Sequence, residues 1–243
     1  MTEFVYQEVD VEGMETLDVI AGANKFNKWM YDTIHPYCKG KIIEIGSGIG
    51  NISQYFVDAK EDITLTDIRQ NYVDALKTKF ENKTSGIELM DLTDDDFDNR
   101  YSHLLNSFDT VFALNVVEHI KEDKLAIANC NKLLKKNGHI IILVPAYQAL
   151  YNQFDLELQH FKRYNKKTLG ELFNENAVKV VKQQYFNVMG IFGWYISGKL
   201  QKNKTIPGGQ MKLYNLLVPV FKLVDFFSLR SFGLSVITVG KKI

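Results

Sequence analysis

Apolar residues along this chain fall into short dense runs, separated by stretches in which they recur every three or four positions. Residues 41–45 read KIIEI, 63–67 ITLTD, 87–90 IELM, 108–114 FDTVFAL and 139–144 HIIILV. Runs this short and this rich in β-branched residues predict buried strands. Helical spacing marks 51–60, 71–82, 123–136 and 169–175 between and after them, with Asn137-Gly138 as a C-cap signal for the third. Further strands are predicted at 178–185 and 234–240. An N-terminal helix is predicted over 16–34, where Leu17, Ile20, Phe26, Trp29, Met30 and Ile34 share a face. Strands alternating with helices through five rounds predict an α/β fold built on a doubly wound, mostly parallel sheet.

The first strand runs straight into Gly46, Gly48 and Gly50 and then into a helix start. Glycines let the chain turn tightly and let a ligand approach the backbone. Free N–H groups at the helix start favour a polar or anionic ligand there. The spacing is G-x-G-x-G, and Asn51 stands where a dinucleotide fingerprint would place its third glycine. Asp67 closes the second strand. An acid there can accept both ribose hydroxyls of an adenosyl group, or simply shape the turn.

The stretch from Glu44 to Gly50, E-I-G-S-G-I-G, resembles motif I of the class I S-adenosylmethionine-dependent methyltransferases. The end of the fourth strand, Asn115-Val116-Val117-Glu118-His119, resembles motif IV of the small-molecule members, where an apolar strand ends in x-x-x-E-H. The resemblance implies a seven-stranded Rossmann-like sheet whose last strand is antiparallel, S-adenosyl-L-methionine as cofactor, and methyl transfer as the reaction. It implies that Gly46, Ser47, Gly48 and Gly50 wrap the methionyl part, with Glu44 nearby. Asp67 would take the ribose hydroxyls, and Ile68 would flank the adenine. Asp91 would accept from the adenine amino group, and the Leu92 N–H would meet a ring nitrogen. Asn115 and Val116 would border the cofactor. The N-terminal helix of such enzymes often crosses this site, so Trp29 and Tyr31 either line a pocket or anchor that helix to the core. His119 would lie near the reaction centre, where an imidazole suits base work. Otherwise Glu118 and His119 cap the next helix.

Residues 145–168, PAYQALYNQFDLELQHFKRYNKKT, form a long segment that is both aromatic and polar. It resembles the V-P-A…Y…D…H-x-R-R-Y loop of a bacterial subgroup of the same class. Val144, Pro145, Ala146, Tyr151, Asp155, His160, Arg163 and Tyr164 match, while Lys162 replaces the first arginine and loses its fork of donors. His160 can deprotonate a substrate hydroxyl, Asp155 can orient an imidazole, and Arg163 with Lys162 can hold a carboxylate or phosphate. The same three residues, Asp155, His160 and Arg163, can instead form a structural ion-pair network. Tyr147, Tyr151, Tyr164, Arg163 and Trp29 are the expected acceptor contacts, with His160 and then His119 as catalytic groups.

A helical insertion is expected over 187–231, within a single domain spanning 1–243. It includes a basic loop at 202–210 and the strongly apolar stretch 211–229, MKLYNLLVPVFKLVDFFSL, in which Pro219 should kink the helix or start a new one. A helix this apolar either caps the substrate pocket or rests on lipid or a partner, and nearby lysines suit an anionic membrane surface. Its greasy wall favours a bulky apolar or lipid-like acceptor over a bare sugar, and the expected reaction is methyl transfer to oxygen of a small or lipid-like acceptor.

Composition narrows the picture further. A chain of 243 residues with 46% hydrophobic content builds a sizeable core. Lys plus Arg and Asp plus Glu balance at 29 each, which gives no overall pull toward nucleic acid. Cys38 and Cys130 lack metal-site spacing and read as reduced thiols. No metal is expected. The acidic N-terminus lacks a secretory pattern, and the uncharged stretch 183–198 is too short and polar to span a bilayer. The expectation is a cytoplasmic protein with peripheral membrane contact through 211–229. Two other classes compete: a nicotinamide-dependent oxidoreductase on a Rossmann fold, and a non-catalytic cofactor-binding partner working through the apolar insertion.

Overall fold

The computed structural model describes residues 11–200 and 208–243. One seven-stranded sheet runs through it, built from β1 (Ile42–Ile45), β2 (Ile63–Asp67), β3 (Gly86–Leu89), β4 (Phe108–Leu114), β5 (Leu134–Pro145), β6 (Val178–Phe186) and β7 (Ser235–Lys242). The strand order is β3-β2-β1-β4-β5-β7-β6. β7 lies between β5 and β6 and is antiparallel to both. The remaining pairs are parallel. The direction of winding reverses between β1 and β4, so the crevice at their C-terminal ends is where a ligand belongs in such a sheet.

β1 and β2 are buried along their whole length, and their polar residues Glu44, Thr64, Thr66 and Asp67 are buried with the apolar ones. Alternate residues feed two cores. Ile43, Val111, Ala113, Ile140 and Ile142 pack on one face. Ile42, Phe112, Ile141 and Leu143 pack on the other, together with Phe56 and Phe80.

The helices are α1 (Val11–Ala21), α2 (Asn24–Ile34), α3 (Ser53–Asp58), α4 (Gln70–Phe80), α5 (Phe97–Arg100), α6 (Asp123–Leu133), α7 (Gln153–Glu157), α8 (Lys166–Asn174), α9 (Val188–Trp194) and α10 (Gly208–Phe227). The single helix expected over 16–34 is two. Ala23 leaves the helical region at φ −93°, ψ 57°. The new start is capped from outside, because Asn215 Oδ1 of α10 accepts the N–H groups of Lys25 and Phe26 at 2.9 and 3.1 Å.

The helix expected over 123–136 stops at Leu133. Leu134 already pairs with Phe108, and the Asn-Gly signal marks a turn inside the extended β5, with Asn137 at φ +67°. Lys242 Nζ caps this end by donating to the carbonyls of Asn131 and Leu134 at 2.8 and 2.7 Å.

Between β6 and β7 the chain forms α9, one wide helical turn at Tyr195–Leu200, and α10. Residues 202–207 of the expected basic loop lie outside the described residues, and 208–210 open α10. Pro219 sits inside α10 without splitting it. Val218, Phe221 and Asp225 face inward, whereas Leu213, Leu216, Val220, Leu223 and Phe226 are all more than half exposed. The carboxylate of Asp225 accepts the N–H groups of Asn187 and Val188 at 2.7 Å each, which fastens α10 to the start of α9. Among the described residues, no helix is long and apolar enough to cross a membrane.

Candidate active site

The glycine turn leaves β1 at the point where the winding reverses. Gly46 has φ +70° and a Cβ there would stand 2.5 Å from Val116 Cγ2, so this glycine lets the turn close against the end of β4. Gly50 has φ +76° and a Cβ would meet Phe80 Cε2 at 2.4 Å. Ser47 N–H donates to the Thr66 carbonyl at 2.8 Å and Gly48 N–H to Asp67 Oδ2 at 2.9 Å. Asp67 Oδ1 accepts the Arg69 N–H at 3.0 Å. Asp67 is thus buried and aimed by the glycine turn and the turn after β2, and each oxygen keeps a lone pair for a further donor. Burial pushes its carboxyl pKa up against those amide bonds. Ile68, partly exposed beside it, offers an apolar edge.

Glu44 lies beneath the turn, fully inside the protein, and accepts the Ser53 hydroxyl. Burial raises its pKa to about 7. α1, not α2, lies over the turn. Leu17 Cδ1 is 3.0 Å from where a Gly48 Cβ would stand, and Asn51 Nδ2 donates to the Leu17 carbonyl at 3.0 Å. Trp29 and Tyr31 belong to the core instead. The Trp29 ring packs 4.4 Å from Phe186, and Tyr31 stacks on His35.

At the end of β3, Asp91 Oδ1 accepts from both the N–H and the hydroxyl of Thr93 at 2.7 Å. Its own N–H donates to the Tyr101 hydroxyl at 3.0 Å, and Leu92 is buried. Asn115 ends β4 exposed, with φ +55°, and is held by its N–H to the Leu143 carbonyl at 2.8 Å. A positive-φ cradle that Cβ atoms would fill, with buried carboxylates at the ends of β1 and β2, fits an adenosyl cofactor. The hollow of about 290 Å³ lined by Asp123, Lys162, Arg163 and Glu171 borders none of these residues and is not its seat.

The second half of the site is built by the loop after β5 closing on the turn after β4. Asn152 and Asp155 form a capping box at α7, with Asp155 Oδ2 accepting the Asn152 N–H at 2.9 Å. The other oxygen, Oδ1, meets His160 Nδ1 and Arg163 Nε, each at 2.8 Å. Burial works against the Asp155 charge, but His160 and Arg163 win and hold its pKa below the ordinary range. An ionised Asp155 accepts a hydrogen bond from the Nδ1–H of neutral His160, so Nε2 carries a lone pair. Burial keeps that ring neutral, with its pKa below the ordinary histidine range.

Arg163 is spent inside the protein. It also donates to the Ala146 carbonyl at 3.1 Å and lies 4.6 Å over the Trp194 ring. Tyr164 is buried and donates to Asp123 Oδ2 at 2.9 Å, and Lys162 pairs with the same carboxylate at 2.6 Å. Tyr151 donates to the His160 carbonyl at 2.6 Å, and Tyr147 stacks on Tyr185.

The His119 ring stands edge-on to His160, with centroids 4.7 Å apart. It is open to solvent on one side. Crowding by protein, with His160 and Arg69 nearby, holds its pKa well below the ordinary value, while the Leu158 carbonyl accepts a hydrogen bond from it. Glu118 completes the group. It is 0% exposed, and neither carboxylate oxygen has a hydrogen-bond partner. Burial raises its pKa to about 8. The sequence marks Glu118 as part of a motif or as a helix cap; its signal as a buried group is an acid embedded in an apolar run, VVEHI.

Residues 43–140 match the family model of a methyltransferase domain, a span that holds the glycine turn, Asp67, Asp91 and His119. A highly reducing polyketide synthase of Pyrenophora dematioidea is 26% identical over 113 residues, 42% of this chain. This chain spans only 4% of that protein's length. A SAM-dependent methyltransferase from Archaeoglobus fulgidus superposes with a TM-score of 0.58 at 17% identity, over 89% of this chain and 94% of that one. Phosphoethanolamine N-methyltransferase 2 of Haemonchus contortus, solved with S-adenosyl-L-methionine, gives a TM-score of 0.57 at 16% identity, over 89% and 52%. Residues 43–140 thus match a methyltransferase domain, and the strand order and glycine cradle give the chain the Rossmann-like fold of solved SAM-dependent methyltransferases.

Proposed function

We propose that the chain methylates an oxygen atom of a small or lipid-like acceptor. The observation that carries this is the buried Asp155–His160 pair, brought beside His119 at the end of β4. The cofactor supplies an electrophilic methyl group on a sulfur that leaves as a neutral thioether. The chain's task is to hold the acceptor oxygen in line with that bond, exclude water, and receive a proton. His160 takes the acceptor's hydroxyl proton on Nε2, and Asp155 stabilises the imidazolium that forms. His119 is the second proton acceptor. The bond from oxygen to methyl forms as the bond from sulfur to methyl breaks, and the proton passes from the histidine to solvent. By its name one structural neighbour transfers to nitrogen, so the preference for oxygen rests on His160 and not on likeness.

The acceptor's apolar character follows from α9 and α10. Phe192, Tyr195 and Ile196 are exposed around the turn between them, and α10 turns its outer apolar face to solvent. Lys212 and Lys222 lie on the same helix, which supports peripheral contact with an anionic membrane through 211–229. The balanced charge supports no nucleic-acid partner. The test is incubation with methyl-labelled cofactor and cell extract, followed by phase partition. Label in the organic phase, lost at least a hundredfold in kcat in His160→Ala with cofactor affinity kept, is the expected result. Undiminished transfer by His160→Ala, or label confined to nitrogen or carbon products, would overturn the reading.

A further inference from the structure

We propose that Glu118, His119 and His160 form a site for one divalent first-row metal ion, open toward the acceptor. The ligand-capable atoms of these three side chains all lie within 4.8 Å of one another. Two histidines and one carboxylate are a donor set suited to manganese, iron, cobalt or zinc, with coordination positions left for water or substrate. Ligands about 2.1 Å from a common ion stand roughly 3.0–3.5 Å apart, so the side chains close by about an ångström on binding.

Three independent features point the same way. First, Glu118 is fully buried and both of its oxygens lack partners. A buried acid with no donor is a standing cost, and a cation removes it. Second, each imidazole has one nitrogen already engaged by an oxygen. His160 Nδ1 donates to Asp155 at 2.8 Å, and His119 hydrogen-bonds the Leu158 carbonyl. This outer-shell pattern fixes ring orientation and leaves the second nitrogen for a metal. Third, the two segments are braced together, with Phe161 N–H donating to the Glu118 carbonyl at 2.8 Å and Tyr164 reaching across to Asp123. His119 stays exposed on one side, which provides the entry path.

The site follows Asn115 and Val116 directly, at the C-terminal end of β4 where the sheet's crevice opens. The consequence for the acceptor rests on the oxygen reading above. A metal with two open positions selects an acceptor with two adjacent oxygens, such as a vicinal dihydroxy or hydroxy-carbonyl group. A cation there would supply stabilisation of the acceptor oxyanion, and His160 Nε2 would hold the ion, which replaces its role as base in the metal-free reading above.

The probe is Mn²⁺ added to chelator-stripped full-length protein, followed by loss of the free-ion EPR signal. The expected result is one tight site per chain, weakened at least tenfold in both Glu118→Gln and His160→Ala. Glu118→Gln breaks no hydrogen bond of the carboxylate, so it should fold and bind S-adenosylmethionine as the parent does. The acidic run at 94–98 stays intact in both variants and reports weak surface binding separately. Absence of a tight Mn²⁺ site in the parent, or one unchanged in both variants, would overturn the proposal. Methyl transfer to oxygen that continues in excess EDTA would also overturn it while leaving the oxygen reading standing. A tight site lost in the variants, with products methylated only on nitrogen or carbon, would uphold the metal site and remove the oxygen reading.

Discussion

Glu44 offers a test in which the pH dependence of stability separates one buried acid from the rest. Its carboxyl is 4% exposed beneath the glycine turn, accepts the Ser53 hydroxyl, and has its pKa raised from 4.5 to about 7 by burial. The folded state therefore holds a proton that the unfolded chain has already released between those two values. Where the native state binds more protons, stability falls as pH rises. The Glu44 contribution is thus lost from about pH 4.5 upward and is fully lost above about 7. With each pKa unit equivalent to about 1.4 kcal/mol, the penalty is roughly 0.8 kcal/mol at pH 5 and roughly 3.3 at pH 8. Glu44→Gln keeps an oxygen for Ser53 and removes the titration. Guanidinium unfolding of both proteins at a series of pH values should show the variant gaining on the parent by roughly 2.5 kcal/mol between pH 5 and 8. Asp225 titrates in both proteins and cancels in the difference. A difference that stays constant across this range would refute the claim that Glu44 is held protonated by burial.

Two further substitutions probe the two halves of the site. Arg163→Lys keeps the charge but loses the Nε bond to Asp155 and the stacking on Trp194. It should cost about 2–4 kcal/mol in chemical unfolding, and a loss under about 0.5 would show that the buried pair contributes little. Gly50→Ala forces a Cβ into Phe80 at φ +76°. It should lower stability by about 2 kcal/mol and weaken S-adenosylmethionine binding in calorimetry, and unchanged values for both would refute the steric argument.

The parts of the fold legible in the sequence were those where one local signal had one structural outcome. Ile63–Asp67 and Phe108–Leu114 are strands over the predicted residues because short β-branched and aromatic runs suit a parallel strand covered on both faces. The helix break at Ala23 was hidden because its cap, Asn215, comes from 190 residues away. Asn137-Gly138 is a turn within β5 and not the C-cap of α6 that its residue types suggest, since pairing of Leu134 with Phe108 pulls the chain into β5 first. The apolar face of α10 was legible, but which side would be covered was not, because that depends on Phe26, Phe186 and Tyr214 meeting across three elements. In the site, the Asp155–His160 pairing followed from residue types in one loop. The partnering of His160 with Glu118 and His119 did not, because it needs β4 and β5 laid side by side.

The loop after β5 also shows why its recognisable residues say more about the reaction than about the acceptor. Of those that match the subgroup pattern, Tyr151 holds the His160 carbonyl, Asp155 holds the imidazole and Arg163, Arg163 holds the Ala146 carbonyl, and Tyr164 holds Asp123. Backbone bonds from Tyr164 N–H to the Pro145 carbonyl and from Tyr147 N–H to the Tyr164 carbonyl, at 2.9 and 2.8 Å, close the brace. Only His160 keeps a ring nitrogen for chemistry. A set of side chains whose partners are one another can orient an imidazole to within a hydrogen bond's tolerance, but it has no polar groups left over to read a substrate. Recognition of the acceptor then falls to what the brace leans on. Trp194 lies under Arg163 and donates to the Leu150 carbonyl at 3.3 Å, so the loop and the helical insertion move as one. Exchanging Phe192 or Ile196, which are exposed on the insertion, should therefore change which labelled product forms while leaving the His160 geometry intact.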